Sequence, residues 1–274
     1  MLILSVINNK GGVGKTTTAV NLAAGLKVHY KKKVLLIDLD PQGNAGTGIG
    51  LDPYDNKTFK YSIGDVLSSK TLKLSDAIVS SKYADIIVNN MYSYNKVSSK
   101  NDLNLLYQMI KAEKLKYDFI ILDTPPSIEY YTCSAILASD ILLITTEFGK
   151  YAMNGVQVLL SILESWKNTT NRAVSTHFAN IPKPVLFTMV QQGTRLTKAL
   201  TETIDEQSPT GLVLNTRIPR SVKVQENTYE GVPSVLKANN PAGKAYKELC
   251  ETIYFAEKSR VIYGKNYSLK IPSR

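Results

Sequence analysis

The chain has almost no cysteine or histidine, with two of each in 274 residues. Cys133 and Cys250 lie too far apart for a CxxC pair, and two thiols cannot build a disulfide framework. A scaffold held by disulfides or structural zinc is therefore excluded. Both thiols are expected to be buried and reduced, as in a cytoplasmic protein. His29 and His177 have no partners at metal-ligand spacing. No run of about 18 apolar residues exists, so no membrane-spanning helix is expected. The apolar start MLILSVI lacks a basic flank and stops at Asn8, too early for a signal peptide. Internal repeats and long linkers are also missing.

What is present is an ordinary globular composition, 43% hydrophobic and 20% charged, with a formal net charge of +10. A basic excess suits nucleic acid, an anionic membrane or an acidic partner. No long basic run concentrates it. Short β-branched apolar runs at Leu2–Ile7, Val34–Ile37, Ile86–Val88, Phe119–Leu122, Ile141–Thr145 and Val185–Val190 read as buried strands. Helical patterns lie at Lys15–Val28, Asp102–Leu115, Ile128–Ala138, Met153–Trp166 and Arg195–Asp205, with a last helix after Pro241. This alternation predicts an α/β fold, a doubly wound, mostly parallel sheet with helices on both faces. The expected organisation is one domain over residues 1–257 and a basic tail over 258–274, frayed or extended because Gly264 and Pro272 interrupt it. Residues 43–74 and 91–101 read as irregular.

The strongest motif is Lys10-Gly11-Gly12-Val13-Gly14-Lys15-Thr16-Thr17, which follows a predicted strand and opens a predicted helix. Glycines let the backbone wrap phosphate oxygens with N–H groups pointing inward. Lys15 offers a positive charge to the β- and γ-phosphates, and the Thr16 hydroxyl is placed to ligate Mg²⁺. Two apolar strands then end in carboxylates. Val34–Ile37 runs into Asp38 and Asp40, and Phe119–Leu122 runs into Asp123, a Walker B position suited to Mg²⁺.

Asn9 stands where the usual phosphate-loop consensus has glycine, and Lys10 adds a lysine to the loop. With Asp38-Leu39-Asp40-Pro41-Gln42-Gly43-Asn44, the Walker B strand, Tyr151-Ala152-x-x-Gly155, Ile218-Pro219-Arg220-Ser221-Val222-Lys223 and Ala242-Gly243-Lys244-Ala245-Tyr246, the chain resembles the ParA family of partition ATPases. The likeness covers nearly the whole chain and fits the short forms without an N-terminal helix-turn-helix. It implies ATP and Mg²⁺ as ligands, with Lys10 reaching the partner's nucleotide in an ATP sandwich dimer. It further implies that Asp40 orients the attacking water, Asp38 lies near the metal's water shell and Pro219 lies near the adenine. The dimer would bind double-stranded DNA without sequence preference, and a ParB-like centromere-binding protein would stimulate hydrolysis. The protein would then be nucleoid-associated.

Candidate phosphate-contacting residues are Arg195, Lys198, Arg217, Arg220, Lys223, Lys237, Lys244 and Lys247. The family's EAPSxGxP stretch reads Glu226-Asn227-Thr228-Tyr229-Glu230-Gly231-Val232-Pro233, a departure. A MinD-like membrane-cycling ATPase would share every phosphate-site motif but needs an amphipathic C-terminal helix, which the tail lacks. A relative that positions a protein cargo is a further alternative. An electron carrier with a shared iron–sulfur cluster would need paired cysteines that the chain does not have.

Overall fold

Continuous apolar runs with both faces covered are what a parallel sheet requires, and the computed structural model shows one. It describes residues 1–55, 57–97, 102–149, 151–165, 172–191, 193, 195, 197, 199, 213–237, 239–263 and 268–271. Seven strands, β1 (Leu2–Ile7), β2 (Val34–Asp38), β3 (Asp85–Ile87), β4 (Phe119–Asp123), β5 (Ile141–Glu147), β6 (Val185–Val190) and β7 (Val213–Pro219), lie in the order β3-β2-β4-β1-β5-β6-β7. Every pairing is parallel. The helices are α1 (Lys15–Tyr30), α2 (Asn44–Gly48), α3 (Ile63–Ser68), α4 (Leu74–Ala77), α5 (Met91–Tyr94), α6 (Leu105–Ala112), α7 (Tyr130–Ala138), α8 (Ala152–Ser165), α9 (Arg172–Asn180), α10 (Val222–Tyr229) and α11 (Pro241–Ser259). A short 3-10 turn, Ser234–Leu236, precedes α11.

Successive strand residues point to opposite faces, and the core divides accordingly. Leu2, Leu4, Val6, Leu36, Phe119, Ile121 and Leu143 pack against α1 and α11. Ile3, Leu35, Ile37, Ile120 and Leu122 pack against α3, α6 and α7. Ile7, Leu142, Ile144, Val185 and Phe187 pack against α7, α8 and α9. The expected doubly wound fold is thus the observed one. α1 and α11 approach closely because Gly25 offers no side chain. A Cβ there would come 2.4 Å from the Cys250 sulfur.

Several elements differ from expectation. β7, α9 and α10 were not foreseen. Residues 43–74 hold two short helices, α2 and α3, and the first residue of α4, and α5 lies within the second stretch read as irregular. Most of the expected helix Arg195–Asp205 lies outside the described residues, although Arg195, Thr197 and Ala199 are helical. After residue 257 the tail, expected to be frayed or extended, is extended where it is described. α11 continues to Ser259 and the left-handed Arg260 ends it. β8 (Val261–Tyr263) then pairs antiparallel with β9 (Ser268–Lys270). Ile262 and Ile271 are both buried in the core beside α11, which holds the extended tail in place.

Candidate functional site

Ligands of open parallel sheets gather where strand carboxyl ends meet a reversal of strand order. Here β1 lies between β4 and β5, so the chain leaves β1 toward one edge and later returns to build the other. The loop of residues 8–14 sits at that point. Asn8 bolts it down: its amide donates to the Thr145 carbonyl (2.7 Å) and its side-chain oxygen accepts from the Lys10 N–H (2.9 Å). Gly12 and Gly14 take left-handed φ values of 75° and 79°, which side-chain-bearing residues rarely adopt. Thr188 closes the far side, its hydroxyl lying 3.0 Å from the Val13 carbonyl and 3.2 Å from that of Thr146. A threonine interrupting the apolar run Val185–Val190 was the signal for this role, and sequence reading passed over it.

Lys15 opens α1 and is buried. Its ammonium donates to the Lys10 carbonyl (2.9 Å). Burial lowers its pKa, opposed by the negative charges of Asp123 and Asp40. Val13 is also buried, so this position contributes backbone rather than side chain to the loop. Thr16 and Thr17 line the same opening.

The two strand-end aspartates are register partners, Asp38 beside Asp123. Both are fully buried. Asp38 is saturated by backbone: one oxygen accepts from Asp40 N–H (3.0 Å), the other from Ala45 N–H (2.9 Å). It thereby holds the 40–45 turn and the start of α2. Burial first, then the Asp123 charge, pushes its pKa well up. Asp40 is nearly buried; one of its oxygens accepts from the Gln42 N–H (2.9 Å), and the residue lines the opening.

Asp123 differs from its neighbour. Both its oxygens are buried without a full hydrogen bond among the described residues. Burial and the Asp40 charge push its pKa up to about 7, against the lowering effects of the nearby Thr16 hydroxyl and Lys15. A buried carboxylate left in this condition is costly unless a cation or strong donor is supplied. The residues present fit Mg²⁺, which takes one or two carboxylates and draws its other ligands from phosphate oxygens and water. Among the described residues no group of three or more His, Cys, Asp or Glu side chains forms a metal cage, so the ion would depend on the phosphates.

Lys15, Thr16, Thr17 and Asp40 border a cavity of about 660 Å³, a size suited to a nucleotide, while the fully buried Asp38 and Asp123 are not part of its lining. The structure brings together Gly11, Gly12, Gly14, Lys15, Thr16, Thr17, Asp40 and Pro219 along its wall. Ser221, from the segment expected near the adenine, also lines it, and so do Asn44, Thr47, Thr188, Gln225 and Tyr229, which were not expected there. Met189, on the same wall, carries a left-handed φ of 55°. Strained backbone of this kind tends to collect at functional sites. Lys10 stands apart: it is exposed and lines a second groove with Phe148, Gly149, Tyr151 and Val158.

The basic candidates come from several elements of the chain. Arg195, Arg220, Lys237, Lys244 and Lys247 are exposed. Arg220 also lines the cavity. The Arg217 guanidinium is half-buried over the rings of Phe148 and Phe187, 5.8 Å from each centroid. Lys223 pairs with Glu226 at 2.7 Å. Lys198 lies outside the described residues.

Comparison with known proteins bears on this arrangement. Residues 1–176 match the AAA domain family AAA_31. The chain is 32% identical over 262 residues to the sporulation initiation inhibitor protein Soj of Bacillus subtilis, covering 92% of this chain and 97% of that protein. It is 32% identical over 263 residues to the chromosome-partitioning ATPase Soj of Treponema pallidum, covering 94% and 98%. Its fold is similar to that of the septum site-determining protein MinD of Pyrococcus horikoshii, complexed with Mg-ADP. That likeness has a TM-score of 0.71 at 24% identity over 92% of this chain and 95% of that one.

Proposed function

The chain belongs to the ParA family of partition ATPases, and from that premise we propose that it hydrolyses ATP to drive a dimerisation cycle that partitions DNA. The observation that carries the proposal is the pairing of a phosphate-wrapping loop with Asp123, a buried carboxylate lacking a full complement of hydrogen bonds.

The N–H groups of residues 11–17 hold the phosphates, and Lys15 neutralises charge on the β- and γ-oxygens. Thr16 and Asp123 would hold Mg²⁺, with Asp38 behind them; the ion supplies charge neutralisation on the phosphates. Asp40, fixed by the turn that Asp38 organises, aligns the attacking water, and ADP and phosphate result. Pro219 and its neighbours receive the base.

Lys10, exposed outside the cavity, reaches the nucleotide of a second copy seated over the groove of Phe148 and Tyr151. The dimer binds double-stranded DNA through Arg195, Arg220, Lys237, Lys244 and Lys247. Doubling the contacts raises affinity by avidity without any new contact. Arg217 and Lys223 contribute less, since ring stacking and an ion pair already engage them. A ParB-like centromere-binding protein stimulates hydrolysis and releases the dimer, and the protein works on the nucleoid in the cytoplasm. A membrane-cycling role would need an amphipathic helix in the tail, and the described part of the tail instead pairs β8 with β9 and buries Ile262 and Ile271.

The test is ATP turnover, with and without duplex DNA, in wild type and Asp40→Ala. Turnover that depends on Mg²⁺ and falls to background in the variant, with ATP binding retained, is the expected result. Unchanged turnover in Asp40→Ala removes that residue from the mechanism.

A further inference from the structure

The departure from the family's EAPSxGxP stretch puts a tyrosine, Tyr229, where that pattern has serine. Tyr229 is 93% exposed, the most exposed of the large apolar and aromatic side chains among the described residues. It is nevertheless one of the residues lining the cavity that the phosphate loop opens into. An aromatic ring left in water at the rim of a ligand cavity has apolar surface to bury once the ligand arrives.

The backbone beneath it is not loose. Tyr229 is the last residue of α10, and the turn that follows is held by several contacts. Glu230 N–H donates to the Glu226 carbonyl (2.9 Å), and Val232 N–H to that of Asn227 (2.8 Å). The buried Asn227 amide donates to the Ser234 hydroxyl (3.0 Å). Gly231, at a left-handed φ of 64°, lies flat against Gly50, so a Cβ there would come 2.3 Å from the Gly50 Cα. The ring is thus a free side chain on a fixed platform.

The cavity has a polarity that tells the ring what it faces. Its phosphate end is set by Gly11, Gly12, Gly14, Lys15, Thr16, Thr17 and Asp40, which offer only backbone or polar side chains. Residues 218–229 supply Ile218, Pro219, Val224 and Tyr229, apolar surface for a flat heterocycle, alongside the polar Arg220, Ser221, Gln225 and Thr228. Tyr246, the second aromatic on the wall, is buried and packed in the core, so it has no face to offer.

We propose that Tyr229 is a base-contacting residue, its ring stacking on the nucleobase of the bound nucleotide and closing the outer side of the cavity against Pro219. This rests on reading the cavity as the ATP site and adds to it a residue that supplies affinity for the base. Stacking is tolerant of base identity and depends on the ring rather than the hydroxyl.

The experiment is calorimetric titration of the full chain with Mg-ATP and with inorganic triphosphate, in wild type, Tyr229→Ala and Tyr229→Phe. Tyr229→Ala should raise the Kd for ATP roughly tenfold while leaving the Kd for triphosphate in place, and Tyr229→Phe should bind as wild type does. Thermal unfolding of all three should coincide, since the ring is solvent-exposed. Wild-type ATP affinity in Tyr229→Ala overturns the proposal, including the case in which only self-association or DNA binding changes, because the ring then serves a macromolecular contact. An equal loss for ATP and triphosphate overturns it too, since the effect would not lie at the base. If neither ligand binds the wild type, the nucleotide reading falls first and the tyrosine's role with it.

Discussion

Two lysines five residues apart illustrate how position decides chemistry. Lys15 is buried at the start of α1 with its ammonium held by the Lys10 carbonyl, aimed at the cavity. Lys10 itself is exposed on a different groove. Lys15→Ala should therefore weaken ATP binding by roughly a hundredfold, the scale of a lost charge-assisted hydrogen bond or two. Lys10→Ala should leave binding to the monomer intact and prevent ATP-dependent dimers. Calorimetry and light scattering on the two variants separate these outcomes, and normal dimers in Lys10→Ala would refute its cross-subunit role. Thr188→Val removes the hydroxyl that meets the Val13 and Thr146 carbonyls. It should cost about 1–2 kcal/mol of stability, read by denaturant unfolding. Contiguous motifs in the sequence point to Lys15, Thr16, Asp40 and Asp123, and the first three line the cavity while Asp123 is buried in register with Asp38. Thr188 and Tyr229 were harder to read, because they reach the cavity from a strand and a helix far along the chain from the phosphate loop.

Elements were legible in proportion to how completely they are buried. The inner strands are continuous apolar runs and were found within a residue or two. β7 escaped because it is an edge strand with Asn215 exposed and Arg217 half-buried, so its apolar residues do not form a run. α10, Val-Lys-Val-Gln-Glu-Asn-Thr-Tyr, covers a cavity rather than a core and buries only Asn227. α3 did carry a signal in Ser62-x-x-Asp65. Its capping box is made, with Ser62 N–H donating to Asp65 (2.9 Å) and Asp65 N–H to Ser62 (3.2 Å). The contact of α1 with α11 offers a test at this scale. Gly25→Val has no room beside Cys250 and should destabilise the fold by about 1–3 kcal/mol, the usual cost of overpacking. Adding Cys250→Ala should restore part of that loss. A fully wild-type melting temperature in Gly25→Val would show that the two helices do not pack as described.

At the scale of the whole molecule the net charge of +10 is not concentrated in any long basic run of the sequence. A dispersed excess gives one copy a weak hold on a polyanion and two copies a useful one. Binding that arises from phosphate contacts must fall steeply with salt. The most direct measurement is co-sedimentation with duplex DNA at several salt concentrations, without nucleotide, with ADP and with a non-hydrolysable ATP analogue, with oligomeric state read by light scattering on the same samples. The account predicts dimers and salt-sensitive DNA binding only with the ATP analogue. A chain that stays monomeric with the analogue, or that grips DNA equally in all three states, would contradict it.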